Sequence, residues 1–165
     1  MIERMKLTES FAYEGATPDQ VYALITDPAF RTESAEADGA TEHDVTVTPR
    51  GEGHEVSIVR TMPADLPDFV KKITGSTVTV HQTEVWGGPA ADGTRTADVK
   101  VEIKGQPATM KGVATLLPNG TGTAFEVDGE VKVAIPFIGK KIEPEVHKAV
   151  VSSLRHEVQL GLTKL

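Results

Sequence analysis

The chain has 165 residues, with 17 Lys+Arg against 24 Asp+Glu for a formal net charge of −7, 39% hydrophobic residues, 15 glycines and no cysteine. That length predicts a single domain over 1–165, and the balance excludes collagen-like, coiled-coil and disordered classes. A negative surface repels phosphates, which argues against nucleic acid as a partner, and the absence of cysteine excludes disulfides, a thiolate nucleophile and Cys-ligated zinc.

The chain opens Met1-Ile2-Glu3-Arg4-Met5-Lys6, charged from its third residue, with no uninterrupted apolar run of the kind a signal peptide needs. The longest largely apolar stretch, Val133 to Gly139, is too short to span a bilayer and contains Pro136. These features predict a cytoplasmic protein without a transmembrane segment.

Lys6 to Glu14 places Leu7, Phe11 and Tyr13 on one parity and reads as a strand. Thr17 is then a candidate N-cap, with Pro18 at the first helical position and Gln20 completing a capping box. Val21, Leu24 and Ile25 give that helix an apolar face, and Asp27-Pro28 ends or kinks it. A second short helix fits Phe30 to Ala37. Six strands follow, over Thr41–Thr48, His54–Met62, Ser76–Trp86, Arg95–Lys104, Ala108–Leu117 and Thr123–Val133. Asn119-Gly120 joins the last two as a tight hairpin, and Pro67 to Ile73 fits a short helix ending at Gly75. Spacings this short imply antiparallel neighbours with one wet and one dry face. From Phe137 to Leu165 runs a long helix in which Ile142, Val146, Val150, Leu154, Val158 and Leu162 recur every four residues. Pro144 interrupts its start.

This order, one strand, two short helices, six antiparallel strands and a long amphipathic helix, resembles the helix-grip fold of the START-like (SRPBCC) superfamily. Three stretches are closer still: Leu66 to Gly75, Gln82-Thr83-Glu84-Val85-Trp86, and Gly129 to Glu143. They are similar to the actinobacterial family known as domain of unknown function 2505, although Lys140-Lys141 stands where smaller residues are expected. The resemblance implies an α+β fold, in which a curved seven-stranded antiparallel sheet wraps around the C-terminal helix with a cavity between them. It brings no catalytic residues.

The histidines are His43, His54, His81, His147 and His156. None stands at H-x-x-x-H spacing, and no G-x-S-x-G elbow exists, so neither a metal centre nor a serine hydrolase is expected. Glu143 and His147 are one helical turn apart, which is also an ordinary i,i+4 pair. Gly51-x-Gly53 and Gly120-x-Gly122 sit in hairpin loops and read as turn glycines. No cofactor is expected.

Ala97, Gly112, Ala114 and Gly129 share parity with the apolar faces of their strands. They mark either sheet curvature or room for a ligand. Arg60, Gln82 and Glu84 also fall on otherwise dry faces, and Ser153 and Glu157 project into the apolar arc of the last helix. Strand ends or bulges can place such groups in water; otherwise they must be paired. The lining expected for a cavity is Arg60, Glu84, Trp86, Val99, Val101, Met110, Gly112, Ala114, Phe125, Val127 and Gly129 from the sheet. Val150, Ser153, Leu154, Glu157 and Val158 complete it from the helix. The leading expectation for function is a non-catalytic module that binds or carries a hydrophobic small molecule or lipid. A polyketide cyclase- or aromatase-like enzyme is the alternative, with His147, Glu84 and Glu157 as candidate acids or bases. A third is an interaction domain whose cavity is filled by its own side chains.

Overall fold

The structure, a computed structural model, describes residues 4–64 and 66–165. Its elements are β1 (Met5–Tyr13), α1 (Pro18–Ile25), α2 (Pro28–Ala37), β2 (Glu42–Arg50), β3 (Gly53–Pro63), α3 (Asp68–Thr74), β4 (Thr77–Trp86), β5 (Arg95–Ile103), β6 (Ala108–Asn119), β7 (Gly122–Val133) and α4 (Gly139–Leu162). All strands join one antiparallel sheet of seven in the order β1-β7-β6-β5-β4-β3-β2. This is the α+β helix-grip arrangement. β2 to β7 form a continuous meander, β1 pairs on the far side of β7, and α1 and α2 connect the two edge strands.

Local chemistry sets the helix starts. Thr17 Oγ1 accepts from the Gln20 N–H at 3.2 Å while Gln20 Oε1 accepts from the Thr17 N–H at 2.8 Å, the reciprocal capping box. Asp27-Pro28 does more than end α1. Asp27 is the N-cap of α2, its Oδ1 accepting from the Ala29 N–H at 2.9 Å, and Pro28 takes the first helical position. α2 therefore begins two residues earlier than the sequence expectation. Pro144 does not interrupt α4 as expected; the helix runs through it from Gly139, and only the first turns lose a backbone donor.

The alternation expected for the strands holds. Leu7, Tyr13, Val56, Ile58, Trp86, Ala97, Met110, Leu116 and Val131 are buried on the inner face. On the outer face Asp98, Lys100, Glu126 and Asp128 are exposed, and Glu102 and Glu130 half-buried. Along α4, Ile142 and Val158 are buried, Val146, Val150 and Leu154 are half-buried, and Leu162 is 42% exposed. The cause is geometric: a row of every fourth residue drifts by about 40° per step around a helix of 3.6 residues per turn. The row therefore starts and ends on different sides. α4 lies closest to β1 and β7 and also meets α2, so the middle of the row looks across open space toward the rest of the sheet.

Two sequence expectations fail at the glycines. Gly112 and Gly129 are direct partners in the β6–β7 ladder, and neither opens cavity volume. A Cβ on Gly112 would lie 2.4 Å from the Asp128 carbonyl oxygen and 2.6 Å from the Gly129 Cα, and one on Gly129 would lie 2.5 Å from the Lys111 carbonyl oxygen. These distances are well inside van der Waals contact. The pair marks a crease where two backbones approach as only glycine permits, so curvature is the reading that stands. Gly112→Leu is expected to cost about 3 kcal/mol or more, by displacing β7. Urea titration of that variant beside Glu126→Gln checks both faces, because the outer-face change should stay within about 0.5 kcal/mol.

Candidate functional site: a cavity with a polar wall

The concave face of the sheet, α2 and α4 enclose a cavity. Its apolar lining comes from Ile25 in α1, Ala35 in α2, Ile58, Trp86, Val99, Val101, Met110, Ala114, Phe125 and Val127 in the sheet, and Val150 and Leu154 in α4. Its polar lining is Arg31 and Ser34 from α2 with its C-cap Asp38, Arg60, Gln82 and Glu84 from β3 and β4, and Ser153 and Glu157 from α4. The cavity volume is about 60 Å³, room for a few water molecules. Pockets for drug-sized ligands are larger, at roughly 300–1,000 Å³.

Three residues expected in the lining lie outside it. Gly112 and Gly129 are consumed by the crease, and Val158, 5% exposed, packs in the core beyond the cavity. The other thirteen residues expected there do line it. His147, proposed from the sequence as an acid or base, also lies outside the lining. The Glu143 carboxylate does not turn to His147 but accepts the Val133 N–H at 3.0 Å, tying the start of α4 to the end of β7.

The polar groups are not in water. Arg31 is 2% exposed and forks onto Glu84, 5% exposed, with Nη1 to Oε1 at 3.0 Å and Nη2 to Oε2 at 2.6 Å. Arg31 Nη1 also donates to the Ile25 carbonyl at the end of α1, at 3.1 Å. Glu84 accepts two further hydrogen bonds, from Trp86 Nε1 at 2.9 Å and Gln82 Nε2 at 2.6 Å. Gln82, Glu84 and Trp86 alternate along β4, so all three project into the same space. Among the described residues the Arg60 guanidinium hydrogen-bonds to an amide and not to a carboxylate, donating to Gln82 Oε1 twice at 3.3 Å. Glu157 approaches Arg31 Nη2 at 3.4 Å from α4. At the end of α2, Asp38 accepts from Ser153 Oγ at 2.5 Å and meets His156 Nδ1 at 2.7 Å.

Burial opposes ionisation of Glu84, but the Arg31 charge and the hydrogen bonds from Arg31, Trp86 and Gln82 outweigh it and hold the carboxyl below its usual range. Glu157 goes the other way. Burial raises it, and Arg31, already committed to Glu84, only partly compensates. Burial also lowers Arg60, with the like charge of Arg31 adding to the effect. The Tyr13 hydroxyl is buried without a hydrogen-bond partner among the described residues and is pushed far up, first by burial and then by Glu157. The remaining histidines serve as local ties: His43 to Glu36, His54 to Tyr22 and His81 to Ser57. Among the described residues no cluster of three His, Asp or Glu side chains is placed to hold a metal ion.

Sequence reasoning missed Arg31. The signal was present, since Arg31, Ser34, Ala35 and Asp38 follow i, i+3, i+4, i+7 along one face of α2, a spacing that aims an arginine at whatever the helix covers.

Removing one partner of a buried pair strands the other, so Arg31→Leu or Glu84→Gln is expected to cost about 3–5 kcal/mol in denaturant titration. Glu84 is depressed, so its contribution is present above the unfolded carboxyl pKa and lost as pH falls through the lower folded value. Glu157 is raised, so stability declines as pH rises through its folded value. Glu157→Gln should remove that decline and melt higher than the parent at neutral pH, with the difference vanishing in acid.

Solved structures share the fold at low sequence identity. An aromatase/cyclase from a Streptomyces species superposes with a TM-score of 0.66 at 7% identity, covering 98% of this chain and 93% of that one. A Thermus thermophilus protein gives 0.64 at 17% identity, covering 97% and 99%. A STAR-related lipid transfer protein from Xanthomonas axonopodis gives 0.58 at 17%, covering 93% and 85%. Uncharacterised proteins of Mycobacterium tuberculosis and Mycobacterium bovis are 32% identical over 81 residues, 48% of this chain and 46% of theirs. The match thus spans about half the length of these mycobacterial relatives. Residues 8–165 match the family described as "Protein of unknown function (DUF2505)", and the chain belongs to that family.

Proposed function

We propose that the protein binds and carries a hydrophobic small molecule or lipid in the cavity between the sheet and α4. The observation that carries this reading is the division of the lining. Apolar side chains of β5, β6 and β7 form one wall, and the half-buried Arg60 guanidinium stands on the other, its hydrogen bonds among the described residues going to the neutral Gln82 amide. A ligand with an apolar body and a polar or anionic head would satisfy both walls, and Arg60 is the group that would meet the head. The present volume is small, so entry requires side chains to swing aside. Met110, Val150 and Leu154 are the ones placed to do so; Met110 is unbranched and adaptable, and the two α4 residues are only half-buried. A lipid transfer protein and an aromatase/cyclase are among the proteins that share the fold, which is consistent with this reading.

A second reading rests on Glu157. A buried carboxyl beside a cavity, its proton held more tightly because burial opposes ionisation, is suited to act as a general acid, which would make the protein a cyclase- or aromatase-like enzyme. Turnover of an aromatic polyketide-type substrate that is lost in Glu157→Gln while binding persists would favour it.

The carrier reading is tested by native mass spectrometry of freshly purified protein and by displacement of a fluorescent fatty acid. A co-purified apolar mass and probe displacement are expected. Ala114→Leu, which projects into the void from β6, should reduce probe affinity about tenfold or more while the fold survives. Absence of both bound mass and probe binding in the parent protein would count against the reading.

A further inference from the structure

At the opposite end of α4 from Glu157 lies a second, smaller core. Val70 of α3, Ala108, Val133 and Ile142 are buried together, with Leu66, Ile73, Ile103, Ile135 and Ile138 packed around them. α3, the β5–β6 turn and the β7–α4 loop therefore form one end of the molecule, and Gln106 Nε2 donates to the Ile73 carbonyl at 3.3 Å across it. Two aromatic side chains stand outward from this end. Phe69 is 43% exposed and Phe137 is 99% exposed. Phe137 also has φ +68°, whereas every other left-handed residue among those described is glycine. The loop around it is held by hydrogen bonds from the Ile138 N–H to the Pro136 carbonyl and from the Gly139 N–H to the Ile135 carbonyl, at 2.8 and 2.9 Å. A bulky residue in that conformation is an outlier. A phenylalanine there gains nothing from packing, so its presence asks for something to cover it.

The charge around the two rings says what. Lys71 and Lys72 on α3, Lys104 at the β5–β6 turn and Lys140 and Lys141 at the start of α4 are all exposed. On the same segments, Glu143 is buried and engaged by the Val133 N–H, which leaves Asp68 and Glu145 as the described acidic groups. The chain as a whole is at −7, so this positive end is a local exception. Exposed aromatic rings on segments that also carry exposed lysines fit a surface that is apolar a few ångströms down and anionic at its face.

We propose that this end of the protein docks on an anionic lipid bilayer, with Phe137 and Phe69 entering the headgroup boundary and Lys71, Lys72, Lys104 and Lys141 meeting lipid phosphates. The proposal goes beyond the cavity reading and does not require it.

Co-sedimentation with vesicles of phosphatidylcholine alone and of phosphatidylcholine mixed with phosphatidylglycerol tests it. Binding to the mixed vesicles only is expected, weakening as salt rises. The Lys71→Glu/Lys72→Glu pair should lower that affinity about tenfold or more. Phe137→Gly suits the positive φ, so it should melt at the same temperature or higher and yet bind vesicles about tenfold more weakly. Phe137→Trp adds a reporter whose emission should shift to the blue on mixed vesicles, while Trp86, 2% exposed, stays silent. Failure to sediment with anionic vesicles, equal binding to both compositions, or full binding by Phe137→Gly would each overturn the proposal; the first would leave a protein partner as the cover for Phe137.

Discussion

The pairing of Arg31 with Glu84 is the contact on which the arrangement of the concave face depends. α2 buries little apolar surface of its own; its buried residues are Phe30, Arg31, Ser34 and Ala35. What fixes its distance from β4 is a two-pronged guanidinium–carboxylate fork, whose geometry tolerates little displacement. An ion pair of this kind contributes little net stability compared with well-packed apolar residues. Its effect is positional: a polar strut holds the helix off the sheet where a leucine pair would draw it down. Trp86 and Gln82 saturate the remaining acceptor capacity of Glu84, which is what makes so buried a carboxylate tolerable.

The cavity follows from that strut and from the lean of α4. The helix sits against β1 and β7, so Val150 and Leu154 are left half-covered over β5 and β6. Protein interiors normally close such gaps. Here closure is blocked on one side by charged groups that cannot surrender their partners and on the other by small residues such as Ala114. The acidic member that fits least well is Glu157. It shares Arg31 with a stronger competitor and is the least comfortable charge in the cavity wall, a common condition at functional sites.

Much of this was legible in the sequence because the relevant signals are local. Alternation identified every strand, and Thr17, Pro18 and Gln20 announced α1. The inner faces of β4 to β7 followed from parity alone, so Val99, Val101, Met110, Ala114, Phe125 and Val127 could be placed around a cavity. The failures are of two kinds. Gly112 and Gly129 could not be assigned to crease or cavity, because that depends on how closely two backbones approach across a ladder and not on either residue. Arg31 and Asp38 were overlooked because their meaning lies in partners on β4 and α4, distant in the chain. Likewise parity turned Arg60 toward the inner face but could not name Gln82 as its partner, since parity states a face and not a neighbour.

The position of β1 has a consequence for how the chain reaches this state. Each step of the β2 to β7 meander joins neighbours in sequence, but β1 pairs with β7, and Arg4 meets Glu130 across 126 residues of chain. Closing so long a loop carries an entropic cost that no local contact repays. Strand β1 is thus expected to dock onto a sheet that already exists, and during synthesis it must wait, with Leu7, Phe11 and Tyr13 uncovered, until β7 has been made. The charges of Lys6, Glu9 and Glu14 within and beside that strand are the kind of gatekeepers that keep a waiting strand from pairing with another chain.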